Sequence, residues 1–145
     1  MSFYPDSSFV ISLYVPDENA AAAVAAMRTV RGEGLITPLA ELEVTNALEQ
    51  RVFRKEDSAS RARRSLRWFE QDLEANVFHR VDLPESLFVR AREVALRTTS
   101  TLGTRAIDLL HVAAALELGV SAFYSFDERQ RRLAKLLKLK LNPVP

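Results

Sequence analysis

Residues 102–127 read LGTRAIDLLHVAAALELGVSAFYSFD, and this stretch sets the terms for the rest of the chain. From Ala106 to Leu118 the only polar side chains are Asp108, His111 and Glu117. A helix that is apolar nearly all round is a buried helix. Thr104 is placed as its N-cap, Arg105–Leu118 as its span, and Gly119 as its stop. Ala122–Phe126 then reads as a short strand, with Asp127 at its end and a helix over Glu128–Leu137. Short strands separated by helices imply parallel pairing with right-handed crossovers.

The same alternation extends in both directions. Upstream, Ser2–Tyr4 is a brief strand closed by Pro5, and Ser7–Tyr14 a short helix. Pro16-Asp17 opens a helix through the Ala-rich Asn19–Arg31, which Gly32 and Gly34 stop. Leu35–Thr37 is a second strand, and Pro38 opens a helix to about Lys55. Ser58 caps a further helix to about Ala75. Val77–Val81 has strand character, and the helix begun at Pro84 fades near Thr98–Thr101. Lys138–Leu141 is a possible last strand. The expected fold is a three-layer α/β/α sandwich around a central parallel sheet of four or five strands. With four glycines and no low-complexity linker, residues 1–145 read as a single domain. In such sheets the site lies beyond the carboxyl ends of the strands.

Composition excludes several chemistries. The absence of cysteine rules out a disulfide scaffold, a thiolate zinc site and a cysteine nucleophile. Two histidines, His79 and His111, are too few for a histidine-rich metal site. No apolar run reaches the roughly 20 residues of a membrane span, and the opening MSFYPDSS lacks the pattern of a signal peptide. A soluble, cytoplasmic protein is the expectation. The net charge of +1 hides an asymmetry: residues 1–50 hold seven acids and two bases, while bases outnumber acids in the remainder. Segregation of this kind can accompany an anionic partner.

Four carboxylates stand out. Asp6 and Asp127 each follow a strand, at the edge where the rule above looks for a site, and each is also placed to cap a helix. Asp108 is an isolated acid on the buried helix, costly unless paired or bound to a metal. Arg105, three residues earlier, could pair with it. Glu43 has Ala40, Asn46 and Ala47 as helical neighbours, which leaves room beside its carboxylate, although most glutamates are simply solvated. Gathered at one edge, the four would repel one another, and hard divalent ions resolve that repulsion. Mg²⁺ or Mn²⁺, one or two ions, is the cofactor this expectation names.

The segments FYPDSSFVISLYVPDENA, TPLAELEVTNAL, LGTRAIDLLHVAAALELG and FYSFDERQRRLA resemble, in that order, the PIN-domain family, and among its members the VapC-type toxins of bacterial toxin–antitoxin systems. The likeness runs from about Phe3 to Leu141. It implies a PIN fold, a Mg²⁺- or Mn²⁺-dependent endoribonuclease that hydrolyses RNA with a metal-activated water, a homodimer and a cognate antitoxin. Carried over position by position, the catalytic and metal-binding acids match Asp6, Glu43, Asp108 and Asp127, with Asn46 as partner of Glu43. Pro5 departs from the plain strand residue of many relatives. A non-catalytic RNA- or protein-binding module on the same fold, or another Mg²⁺-dependent phosphohydrolase, are the alternatives.

Ser7, Ser8 and Ser125 flank the edge aspartates, either as supports for the acids or as helix caps. His111 is read as a hydrogen-bonded core histidine, with a catalytic role left open. Arg105 either reaches a phosphate or pairs with an acid. The bases from Arg51 to Arg67, Arg51 and Arg54 among them, are candidates for RNA contact, for antitoxin binding or for a plain solvated face. Phe53, Trp68 and Phe69 read as core or partner groove.

Overall fold

Phe3 and Tyr4 point to opposite sides of the first strand, as successive strand residues must, and both are buried. That strand, β1 (Ser2–Pro5), therefore lies between two layers. The computed structural model describes all residues from Met1 to Pro145. In it, β1 is the centre of a five-stranded sheet. β2 (Glu33–Ile36) and β4 (Ala122–Tyr124) flank it, and β3 (Phe78–Arg80) and β5 (Lys140–Leu141) form the edges, in the order β3-β2-β1-β4-β5. Every pairing is parallel.

One helical layer comprises α1 (Ser7–Tyr14), α2 (Ala20–Thr29), α3 (Pro38–Phe53) and α4 (Ala59–Glu74), and the other α5 (Leu87–Leu102), α6 (Ala106–Glu117) and α7 (Glu128–Leu136). Phe3, Ile36 and Phe78 enter a core with Val10, Val44, Leu48 and Phe69. Tyr4 and Phe123 enter the other, with Val94, Val112 and Leu133. The Tyr4 and Phe123 rings stack at 5.6 Å across β1 and β4. Strands covered on both faces read as continuous apolar runs rather than alternating ones. No helix is long and apolar enough to cross a membrane.

The boundaries differ from expectation where packing overrides local signals. Pro5 does not close β1 but is its last residue, in register with Tyr124. It lacks a ladder donor, and the next amide, Asp6 N–H, resumes bonding to Tyr124 O at 2.9 Å. Gly34 is not a helix stop. It sits inside β2, beneath the rings of Phe3 and Phe78, where there is no room for a side chain. Thr37 lies outside β2 and caps α3. The Thr98–Thr101 run stays helical, because the buried Thr98 hydroxyl bonds back to Val94 O at 2.7 Å, and α5 ends only at the left-handed Gly103. Thr104 does not cap α6. Its hydroxyl meets that of Thr99 at 3.1 Å, and Arg105 holds the cap position without a side-chain hydrogen bond. Of the three aromatics, Phe69 is core, whereas Phe53 and Trp68 stand at the surface.

An added Cβ at Gly34 would lie 2.7 Å from Phe78 Cδ1 and 2.8 Å from Phe3 Cζ. Both rings are buried and have nowhere to move. Gly34→Ala is expected to lose about 1–3 kcal/mol of stability by overpacking, seen as a lower Tm in thermal denaturation. An unchanged Tm would mean that the β2 surface is looser than described.

Candidate active site

A parallel sheet sends the carboxyl end of every strand to the same edge, and each strand there hands over to a helix. The residues at these junctions face one another without any local sequence signature. Asp6 leaves β1 and caps α1, and Asp127 lies just beyond β4 and caps α7. The capping roles are therefore real, with Phe9 N–H donating to Asp6 Oδ1 and Gln130 N–H to Asp127 Oδ1, each at 3.0 Å.

Two serines tie these junctions together. Ser8 Oγ donates to Asp6 Oδ1 at 2.6 Å and accepts from the amides of Phe126 and Asp127 at 2.9 and 3.2 Å. Ser125 Oγ donates to Asp6 Oδ2 and accepts from Asp127 N–H at 3.0 Å. Behind Ser125 stand two residues that sequence reasoning missed. Asn142 Oδ1 accepts from Ser125 N–H at 2.8 Å, and Arg131 donates to Ser125 O and Asn142 Oδ1, both at 2.9 Å. A buried asparagine after a two-residue edge strand carries no signal in one sequence. Arg131 is lost among its basic neighbours.

Glu43 projects from the second turn of α3. Its Oε2 accepts from Ser7 Oγ at 3.1 Å and from His111 Nε2. His111 is fully buried on α6, and its Nδ1 meets Tyr4 Oη at 2.7 Å. The core-histidine reading holds for its burial, but the ring also touches the site. Asp108, also on α6, is buried, with Arg105 Nε 3.6 Å from its Oδ2. Asn46 is exposed and bonds to nothing, so its pairing with Glu43 is not seen. Arg105 is exposed beside Asp108, whereas Arg51 and Arg54 lie in and just past the last turn of α3, roughly 12 Å or more along the axis from Glu43.

The two best-held acids are tuned in opposite directions. Burial pushes the Asp6 carboxyl above the ordinary carboxylate range, against the pull of Ser125, Ser8, the Phe9 amide and His111. Burial also pushes Glu43 up, but the hydrogen bond from His111, with Ser7 and Arg105, brings it below its usual value. The folded chain thus binds a proton at Asp6 more readily than the unfolded chain does. Its stability contribution falls as pH rises through the window between the two values. The contribution of Glu43 is lost instead as pH falls through the window beneath its ordinary value.

Whether the residues suit a metal ion turns on geometry and donor chemistry. No three Asp, Glu or His side chains converge closely enough to hold an ion as they stand. The donors themselves are hard oxygens, the set that Mg²⁺ and Mn²⁺ prefer. Asp108 is decisive for the fit: its Oδ2 is buried without a hydrogen-bond partner. Arg105, at 3.6 Å, offsets its charge without a hydrogen bond, so the oxygen keeps its capacity to accept from a donor or to ligate a cation.

A family model for the PIN domain matches residues 3–136. No curated protein matches the chain in sequence. Among solved structures, the sarcin-ricin-loop-cleaving toxin VapC20 of Mycobacterium tuberculosis is similar, with a TM-score of 0.72 at 15% identity over 99% of both chains. VapBC2 of Rickettsia felis, bound to a promoter DNA fragment, gives 0.66 at 12% identity over 100% of both. FitAcB of Neisseria gonorrhoeae gives 0.66 at 12% identity over 97% of this chain and 96% of its own. At these identities the likeness is one of fold.

Asp6→Asn keeps the shape and the acceptor for Phe9 N–H while removing a buried charge. In chelator, the variant is expected to have a higher Tm than the unaltered chain, by a margin that grows from mildly acidic to neutral pH. Thermal denaturation at the two pH values checks this. A variant less stable at both would show that the site holds the anion favourably without a cation.

Proposed function

The chain belongs to the PIN-domain family, and on that premise we propose that it is a divalent-cation-dependent endoribonuclease acting as the toxin of a toxin–antitoxin pair. The observation that carries the nuclease reading is the buried Oδ2 of Asp108, which accepts no hydrogen bond and has only the exposed Arg105 guanidinium 3.6 Å away, on the helix that also brings His111 to Glu43. These four carboxylates would hold one or two Mg²⁺ or Mn²⁺ ions. When bound, the cation supplies positive charge to the phosphoryl oxygens and acidifies a water.

The chain's own side chains prepare that chemistry. Ser8 and Ser125 fix both oxygens of Asp6, so its orientation does not depend on a ligand. Ser7 and His111 both hold one oxygen of Glu43, Oε2, and leave Oε1 free of protein donors. Arg105 is exposed next to Asp108 and is placed to take a phosphate oxygen of the substrate. The net reaction is hydrolysis. A water oxygen bonds to phosphorus, the 3′ oxygen leaves and takes up a proton, and the products carry a 5′-phosphate and a 3′-hydroxyl. No protein nucleophile is consumed.

The remaining assignments belong to the same proposal. The exposed bases Arg61, Arg63, Arg64 and Arg67 of α4, with Arg54, present a cationic flank for RNA away from the acidic edge. Arg51, half-buried beside them and 3.7 Å from Glu56, borders that flank. The likeness to VapBC2 and FitAcB supports a protein antitoxin as partner. A homodimer and a cytoplasmic location complete the assignment. One observation favours a second reading, a non-catalytic RNA-binding module: no three acidic or histidine side chains converge as they stand.

Purified protein incubated with total RNA separates the two. Cleavage is expected with Mg²⁺ or Mn²⁺, to be abolished by chelator, and to leave 5′-phosphate ends when the cut sites are mapped. Asp108→Asn is expected to slow cleavage at least about a hundredfold, or about 2.7 kcal/mol of barrier. RNA binding that is insensitive to chelator, with no cut ends, would establish the binding module instead.

A further inference from the structure

Glu43 terminates a hydrogen-bonded run that begins on its own helix. Ala40 N–H donates to Thr37 Oγ1 at 3.3 Å, Thr37 Oγ1 meets Tyr4 Oη at 3.2 Å, and Tyr4 Oη meets His111 Nδ1 at 2.7 Å. His111 Nε2 reaches Glu43 Oε2. Thr37 caps α3 and Glu43 lies in its second turn. The run is therefore a loop that leaves α3, crosses β1 and α6, and returns to α3.

Chemistry fixes its direction. A carboxylate only accepts and a backbone N–H only donates. Nε2 of His111 must therefore carry the proton shared with Glu43. In the neutral ring Nδ1 is then bare, so Tyr4 Oη donates to it and Thr37 Oγ1 donates to Tyr4 Oη. Thr37, Tyr4 and His111 each then have one donor role and one acceptor role filled within the run. Thr37, Tyr4 and His111 are all fully buried, and Tyr4 stands edge-on to the imidazole at 66°. Turning either ring would strand a buried polar atom.

We propose that Tyr4 and His111 are positioning residues for Glu43, holding its carboxylate in one orientation before a cation arrives. Neither is aimed at substrate; both act through Glu43. Fixing a ligand in advance removes an ordering cost from binding, and partners behind a metal ligand typically change metal affinity by about 10–100-fold. The inference rests on the nuclease reading in taking Glu43 as a cation ligand.

The test uses the full chain and two readouts. The protein has two histidines, so nitrogen-15 ring correlations resolve the buried His111 from the partly exposed His79. A proton on Nε2 of His111 is expected, and a bare Nε2 would overturn the proposal. In parallel, Mn²⁺ affinity is measured from the electron paramagnetic resonance of the free ion. His111→Leu and Tyr4→Phe are expected to weaken it about tenfold. His111→Gln, whose amide can still donate to Glu43, is expected to stay within about threefold of the unaltered chain. A folded His111→Leu chain that binds Mn²⁺ as tightly as the unaltered one would overturn the proposal, as would equal losses in the Leu and Gln variants. Failure of the unaltered chain to bind Mn²⁺ would strike at the nuclease reading itself, and the nitrogen spectrum decides the positioning claim independently of it.

Discussion

A carboxylate sealed from water at the end of the central strand is the constraint around which this molecule is organised. Asp6 is fully buried, and both of its oxygens are occupied by protein donors. Burying such a group is unfavourable unless its hydrogen bonds are met, and here they are met by three donors from two parts of the fold. The Phe9 amide and the Ser8 hydroxyl come from the first turn of α1, and the Ser125 hydroxyl from beyond β4. The order of strands follows from this demand. β1 and β4 must be neighbours for Ser125 to reach Asp6, although 119 residues separate them.

The acidic edge and the basic flank are kept apart by the length of α3 beyond Glu43. Glu43 lies near the start of α3 and Arg51 near its end, and Arg61 and Arg64 of α4 line a cleft of about 300 Å³ with Arg51, Trp68 and Tyr14. Arg64 lies 5.9 Å above the Trp68 ring, and Asp57 and Glu56 pair with Arg61 and Arg51. Part of the cationic charge is thus already neutralised within the chain. A long anionic partner would meet attraction along the flank and repulsion at the edge. Cations bound at the edge would relieve that repulsion.

The sequence was most readable where chemistry is local. Ser58 caps α4, Asp6 and Asp127 cap their helices, and Gly119 closes the turn after α6, all by rules that span a few residues. It was least readable where a residue answers to a neighbour far along the chain. Gly34 looks like a breaker until Phe3 and Phe78 are seen to occupy the space above it. Thr98 looks like a fading helix until its burial is known. Within the site, the four acids could be singled out because each is unusual where it stands: after a strand, among small residues, or on an apolar helix. Tyr4 could not, since a tyrosine in a central strand is ordinary core and only the approach of α6 gives its hydroxyl a partner. Asn142 and Arg131 were hidden for the same reason. Asn46 shows the reverse failure, a residue to which the family resemblance gave a role and whose side chain is exposed without a partner.

The stitching of the first strand to the last third of the chain has a consequence during synthesis. Ser125, Asp127, Arg131 and Asn142 leave the ribosome at least 119 residues after Asp6, and β4 is the strand that covers the second side of β1. Until they emerge, Asp6 has two of its three donors and one open flank. A nascent chain therefore carries all of its early acids without the framework that arms them. Translation itself delays the finished arrangement until Asn142 has emerged.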